Sequence, residues 1–310
     1  MNKKTYLIEK AEKGLTIQQY LKQIAGFSNA QIRSMKFTEN GICLGGQRAR
    51  VTTRLSEGDV LEVLLETKNS SSAHLLSFEQ MPDILYEDAD VIAVNKPAGI
   101  AVHSSHGHYQ DTLANQLAYY FRKNTQQVEI HSIGRLDLET SGIVLFAKHR
   151  AAAARLSRQR EDGRLQKTYL AICSGIFAEK NGTLNGAIAP LPGSLMKMCV
   201  SKDGKPAVTH YQVQKQYMEA ALVRLTLETG RTHQIRVHMA DAGHPLIGDR
   251  LYFADTDQKA DVDAENCFTG IKRAALHASR ICFYQPFEGK RITVEAPFPE
   301  DMKKCLFRDE

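Results

Sequence analysis

Two apolar stripes at helical spacing lie near the start of the chain. Ile17, Tyr20, Leu21 and Ile24 form the first, with Thr16 placed to cap it; Ile32 and Met35 form the second, with Ser28 as cap. A strand-like Ile42-Cys43-Leu44, a Gly45-Gly46 turn and a further strand Val60-Leu61-Glu62-Val63-Leu64-Leu65 follow. Two small helices on a short sheet make a module of residues 1–66. The polar run Thr67-Lys68-Asn69-Ser70-Ser71-Ser72 then reads as a linker over 67–75, and residues 76–310 as the main domain.

Beyond the linker the periods change repeatedly. Ile84-Leu85-Tyr86 and Val91-Ile92-Ala93-Val94 are predicted strands around the turn Glu87-Asp88-Ala89-Asp90. Asp111 is expected to cap a helix carrying Leu113, Leu117, Tyr120 and Phe121 on one face. Ile143–Ala147 reads as a buried strand and Ala151–Arg160 as a helix, with strands at Thr168–Cys173, Val223–Leu227 and Ile292–Glu295. A last helix is expected to open at Thr232 and stop at Gly243, burying Ile235, Met239 and Ala242. Helices and strands alternate without a βαβ rhythm, which favours α+β with a mixed sheet over a doubly wound parallel one.

Composition narrows the class without naming a function. Over 310 residues, 43% apolar and 24% charged describe an ordinary globular chain and exclude wholesale disorder. No apolar run approaches the ~20 residues a spanning helix needs, and the first ten residues lack the apolar stretch of a signal peptide. The six cysteines are scattered, with no CxxC pair, so reduced thiols in a cytoplasmic protein are expected.

Charge adds a division of the chain. The net +5 is shared unevenly: residues 1–66 carry 10 Lys+Arg against 7 Asp+Glu, and the other 244 carry 30 against 28. Arg33, Lys36, Arg48, Arg50 and Arg54 cluster on the second helix and the hairpin after it. Such a cluster suits phosphates, although a solvated basic face has the same composition.

Four stretches combine Gly, charge and His between apolar strands. Asn95-Lys96-Pro97-Ala98-Gly99 runs a buried strand into a turn that presents Lys96, with His103, His106 and His108 beyond. Zinc ligation by these imidazoles is a weak reading, because no Asp completes a familiar ligand set. His131–Gly142 places Asp137 and Glu139 between an Arg and a Thr-Ser-Gly turn, where Asp137 on spacing alone is a turn cap. A glycosidase pair is also conceivable there, but no carboxylate separation is defined. Lys167-Thr168-Tyr169 offers a strand tyrosine that is either core or a flat face for a base. Gly230–Asp249 carries Arg236 with His233 and His238, five residues apart and so not stacked as paired helix ligands.

Taken together, these stretches resemble the RluA-type family of RNA pseudouridine synthases. Gly134-Arg135-Leu136-Asp137 with Thr140-Ser141-Gly142 is similar to the family's RLD-x-x-T-S-G signature. Asn95-Lys96-Pro97-x-Gly99, Lys167-x-Tyr169-x-Ala171, Gly230–Arg236 and Leu276-His277-Ala278 occur in the family's order, covering about residues 80–298. Gly134 departs from the pattern, since many members have His there. Residues 1–66 resemble, more loosely, an S4-type RNA-binding module.

The resemblance implies a mixed, largely antiparallel sheet flanked by helices. It also implies isomerisation of uridine to pseudouridine in RNA without cofactor or metal. Asp137 is then the essential carboxylate, acting on sugar or base or removing the ribose 2′ proton. Arg236 is its ion-pair partner, favouring the charged form, and Tyr169 the base-stacking residue and candidate proton shuttle. Arg135, Ile235, Thr140, Lys96 and His233 are expected to bind substrate, and Arg33, Lys36, Arg48 and Arg50 to hold RNA. The expected partner is RNA, ribosomal ahead of transfer RNA, and the expected state a monomer with no membrane association. The competing reading is an RNA-binding protein without catalysis, which has no need of Asp137, Tyr169 and Arg236 together.

Overall fold

Thr16 and Ser28 each accept from the backbone N–H three residues on, and Gln19 and Gln31 return the bond to the cap N–H. These reciprocal bonds start α1 (Ile17–Gln23) and α2 (Asn29–Phe37). Both helices cover an antiparallel sheet of order β1-β4-β2-β3, formed by β1 (Lys3–Leu7), β2 (Ile42–Leu44), β3 (Gln47–Arg48) and β4 (Val60–Leu64). Ile17, Leu21, Ile32, Leu61 and Val63 fill its core. Ile24 does not join them: it follows the last turn of α1 and stands 55% exposed.

The structure is a computed structural model that describes residues 3–65, 75–104, 107–253 and 271–306. The linker run Thr67–Ser72, His106 and Cys267 lie outside these residues.

The second sheet has the order β10-β13-β14-β9-β15-β8-β6-β5, with β16 on β15 and β7 on β8. Its strands are β5 (Asp83–Glu87), β6 (Val91–Lys96), β7 (His131–Ser132), β8 (Ser141–Ala147), β9 (Gln166–Ser174) and β10 (Asn181–Asn185). After the small ribbon β11 (Ile188–Pro190) and β12 (Met198–Val200) come β13 (Val208–Gln216), β14 (Ala220–Leu227), β15 (Leu276–Tyr284) and β16 (Arg291–Glu295). Among the described strands only β8 and β15 pair in parallel. The result is a mixed, mostly antiparallel α+β sheet.

One face is covered by α3 (Leu113–Lys123) and α5 (Gln234–Asp241), whose Leu117, Phe121, Ile235 and Met239 meet Val94, Val144, Phe146 and Ala171. The other is covered by α4 (Arg150–Glu161), where Ala152 and Leu156 meet Ile143, Leu145 and Phe283. A short α6 (Glu300–Leu306) closes the described chain. β6 and β8 are sandwiched between helices, which is why they read as continuous apolar runs.

Two helix starts differ from expectation. Thr112, not Asp111, caps α3, because its hydroxyl accepts from Asn115 N–H while Asp111 pairs with His108 at 2.7 Å. α5 begins at Gln234 because His233 turns left-handed, with φ +55°. Gln234 to Met239 are all buried, and Ala242, expected inside, is exposed. A helix buried all round has no single apolar stripe to read.

The parallel contact of β8 with β15 depends on one glycine. Gly142 has φ +107°, and a β-carbon there would stand 2.3 Å from the Ala278 carbonyl oxygen. Gly142→Ala should therefore cost about 3 kcal/mol or more through strain and overpacking combined. Urea unfolding checks this; wild-type stability would contradict the close approach.

The two sheets meet across α4. The Arg155 guanidinium lies 5.0 Å from the Phe27 ring and 4.0 Å from that of Phe287. Lys4 reaches Asp90, buried between His149 and Gln285, at 3.5 Å.

Candidate active site

The loop between β7 and β8 is held from several sides. Thr140 N–H donates to the Asp137 carbonyl at 3.1 Å, and Gly99 N–H to the Leu138 carbonyl at 2.8 Å. Lys96 clamps both loops: its ammonium donates to the carbonyls of Pro97, Ile100 and Leu138 at 2.9, 2.8 and 3.1 Å. The turn was expected to present Lys96 to substrate, but the side chain is fully buried, because these carbonyls satisfy it from inside. Burial, with Arg273 beside it, pulls its pKa down to about 7. Thr140, also expected at the substrate, is buried in the turn.

With the loop fixed, Asp137 projects a carboxylate that is 24% exposed. Arg236 on α5 approaches Asp137 Oδ2 with Nη1 at 3.8 Å and Glu139 Oε2 with Nη2 at 3.9 Å. Its tightest partner is Asp249, which accepts from Nε at 2.6 Å and Nη2 at 2.7 Å and is itself fully buried. Such a bidentate pair fixes the guanidinium plane. The hydrogen bonds to Asp249 and the surrounding carboxylates outweigh desolvation and keep Arg236 charged. The expected Asp137–Arg236 pair is thus a looser contact beside a rigid Arg236–Asp249 pair.

His233 approaches the same oxygen of Asp137, its Nε2 at 3.9 Å from Oδ2. Its Nδ1 meets the Tyr252 hydroxyl at 2.8 Å, and that hydroxyl accepts from Met198 N–H at 2.9 Å. The Tyr252 hydroxyl keeps its proton and a second lone pair for His233 Nδ1, so either ring tautomer satisfies this contact. Burial pushes the His233 pKa down, in keeping with the neutral ring. Tyr252 also lies under Arg236, 5.1 Å from ring centre to guanidinium carbon.

Tyr169 on β9 and Ile235 on α5 are buried in one core cluster beside these groups. Burial, and then the Asp137 charge, push the Tyr169 phenol up, so it is protonated at neutral pH. Arg135 is exposed and donates to the Thr232 hydroxyl at 2.8 Å. Nearby, His277 shares a hydrogen bond with Ser141 Oγ at 2.9 Å, and burial drops its pKa to about 4.

Asp137, Arg236, His233, Tyr169, Ile235 and Arg135 are thus brought into one neighbourhood. Arg33, Lys36, Arg48 and Arg50 are elsewhere, exposed on or beside α2 and β3 of the first sheet. Asp249 and Tyr252 carried no sequence signal that assigned them to the site. Among the described residues no three His, Cys, Asp or Glu side chains are grouped to hold a metal ion. Chemically, the site offers a part-exposed carboxylate beside a fixed cation, an imidazole whose charged form burial disfavours, and a protonated phenol packed in the apolar core.

Residues 90–241 match a family model described as RNA pseudouridylate synthase. The chain is similar to the uncharacterized RNA pseudouridine synthase YjbO of Bacillus subtilis, with 35% identity over 94% of this chain and 98% of that one. It is also similar to ribosomal large subunit pseudouridine synthase D of Neisseria meningitidis serogroup A, with 38% identity over 85% and 67%. Among solved structures, human RNA pseudouridylate synthase domain containing 1 superposes with a TM-score of 0.57 at 27% identity, covering 72% of this chain and 87% of that one.

Proposed function

The chain belongs to the RNA pseudouridine synthase family and isomerises uridine to pseudouridine in RNA, and we propose that its substrate is large-subunit ribosomal RNA, with Asp137 as the essential carboxylate. The ribosomal target is supported by the similarity to synthase D. The observation that carries the site is the part-exposed Asp137 carboxylate set 3.8 Å from an Arg236 that Asp249 locks in place.

In this reaction the N1–C1′ bond breaks, the uracil turns over, and C5 bonds to C1′ as its proton leaves and N1 takes one up. A stacked nucleotide hides its glycosidic bond, so the target is extruded at a cost of a few kcal/mol. Tyr169 supplies a flat face for the flipped base, worth roughly 1–3 kcal/mol. Its protonated phenol serves as a hydrogen-bond donor rather than as a phenolate base. Asp137 acts on the nucleoside with the Arg236 guanidinium set 3.8 Å from its Oδ2. His233 Nε2 lies 3.9 Å from the same carboxylate oxygen and adds a second polar group beside it. Arg135, on the rim, meets the surroundings of the flipped nucleotide. Lys96 supports the loop from within.

Residues 1–66 act as an S4-like RNA-binding module. Held beside the catalytic sheet, it raises the effective concentration of RNA at the site. Arg33→Ala with Lys36→Ala should weaken RNA binding and reduce the slope of log K against log salt by about 1.5. A titration at several salt concentrations checks this, and an unchanged slope would contradict it. Mapping pseudouridines in ribosomal and transfer RNA from cells with and without the gene tests the target. A site lost from large-subunit ribosomal RNA is expected; loss confined to transfer RNA would overturn the assignment.

A further inference from the structure

Next to the Asp137 loop lies a group of cations that the reaction scheme does not use. Arg160, in the last turn of α4, places Nη1 3.6 Å from where a β-carbon of Gly134 would stand. The absent side chain at Gly134 leaves the guanidinium open beside the first residue of Gly134-Arg135-Leu136-Asp137. Arg160 is exposed, and among the described residues it has no carboxylate within ion-pair distance.

Lys167 lies two residues before Tyr169 on β9, but a register irregularity in β15 separates their partners: Lys167 pairs with Ile281, of the core under α4, and Tyr169 with Ala278. Its side chain is largely buried, yet its ammonium has three donors and one long contact, 3.5 Å to the Ile143 carbonyl. Burial, and then Arg160, pull its pKa down to about 8, and no carboxylate raises it. Arg160 stands at Gly134, and Lys167 at the Ile143 carbonyl of β8. Ile133 N–H donates to the Leu145 carbonyl of that strand at 2.7 Å, so both cations sit at one loop–strand junction and make a place for an anion. Arg160 brings the planar fork that fits phosphate, and Lys167 the point charge.

We propose that Arg160 and Lys167 form a phosphate subsite that grips the RNA backbone next to the extruded uridine and sets the nucleotide's depth over Asp137. Phosphate contacts fix register without reading sequence, so this subsite positions the substrate and leaves base choice to the site around Asp137. The subsite rests on the RNA pseudouridine synthase reading, but binding tests it separately from turnover.

The test uses the full chain and a protein-free transcript of large-subunit ribosomal RNA. Wild type, Arg160→Ala, Arg160→Lys, Arg160→Glu and Lys167→Met are compared for RNA affinity at several salt concentrations, and for KM and kcat. Arg160→Ala should weaken binding and raise KM about 5- to 20-fold, with the salt slope reduced by about 1 and kcat within about twofold. Arg160→Lys should recover most of the affinity, and Arg160→Glu should bind more weakly than Arg160→Ala. Because Arg160 is exposed, its variants should melt with the wild type, whatever Lys167→Met does to folding. Wild-type affinity and salt slope in Arg160→Glu would overturn the subsite, whether or not pseudouridine forms in that transcript. A fall in kcat with KM unchanged would also overturn it.

Discussion

Asp137→Asn should leave the protein folded and bound to RNA within several-fold, yet lower pseudouridine formation by on the order of 10³-fold or more. The substitution keeps the shape and removes the charge and basicity of a side chain that is 24% exposed. Little stability is at stake, because Arg236 keeps its bidentate contact with Asp249 and is not left as an unpaired buried cation. The melting temperature should therefore shift by only a few degrees. Single-turnover assays read the chemistry, and the RNA titration reads binding. A variant that turns over like wild type would place the essential carboxylate elsewhere.

Asp249→Ala should do what Asp137→Asn does not: destabilise the fold by about 3–5 kcal/mol as well as abolish activity. Asp249 is fully buried, accepts two short bonds from Arg236, and takes a third from Leu251 N–H at 3.1 Å. Without it, the carboxylates near Arg236 among the described residues are those of Asp137 and Glu139, at 3.8 and 3.9 Å. The cation then draws on Asp137, tying up the group the chemistry needs. Replacing both partners, Arg236→Met with Asp249→Leu, should restore most of the stability, since well-packed apolar residues often equal a buried ion pair. It should not restore activity. Urea unfolding with parallel assays separates the two effects. Wild-type stability in Asp249→Ala would show that the pair does not carry the structural load described here.

These two carboxylates differ in how visible they are in the chain. Asp137 sits in a dense local signature, with Arg135 two residues before it and Thr140-Ser141-Gly142 just after. Asp249 is 13 residues from Arg236, beyond the end of α5, and its importance comes only from the packing that folds the 246–252 segment back onto that helix. The capping residues Thr16 and Ser28 were legible because a cap acts over three residues. Thr112 was not separated from Asp111, since both are competent caps and only the backbone path chooses between them.

Lys96 misled for the opposite reason. A lysine before Pro-Ala-Gly looks like a turn residue reaching outward, whereas the turn wraps its carbonyls around the ammonium. β1 escaped notice because Lys3–Leu7 is an edge strand with alternating half-buried and exposed positions rather than an apolar run. The mixed character of the large sheet followed from the irregular order of helices and strands. Its single described parallel junction, at β8 and β15, did not, because it joins segments more than 130 residues apart. Local physics was readable, and long-range pairing was not.

The most direct measurement incubates the purified full chain with RNA extracted from cells lacking the gene, with nothing else added. Nucleosides are then separated by chromatography and the modified position mapped. Wild-type protein should convert a defined uridine to pseudouridine in large-subunit ribosomal RNA, and Asp137→Asn should convert none while still binding that RNA. Equal conversion by both proteins, or none by the wild type in any RNA fraction, would contradict an Asp137-dependent pseudouridine synthase.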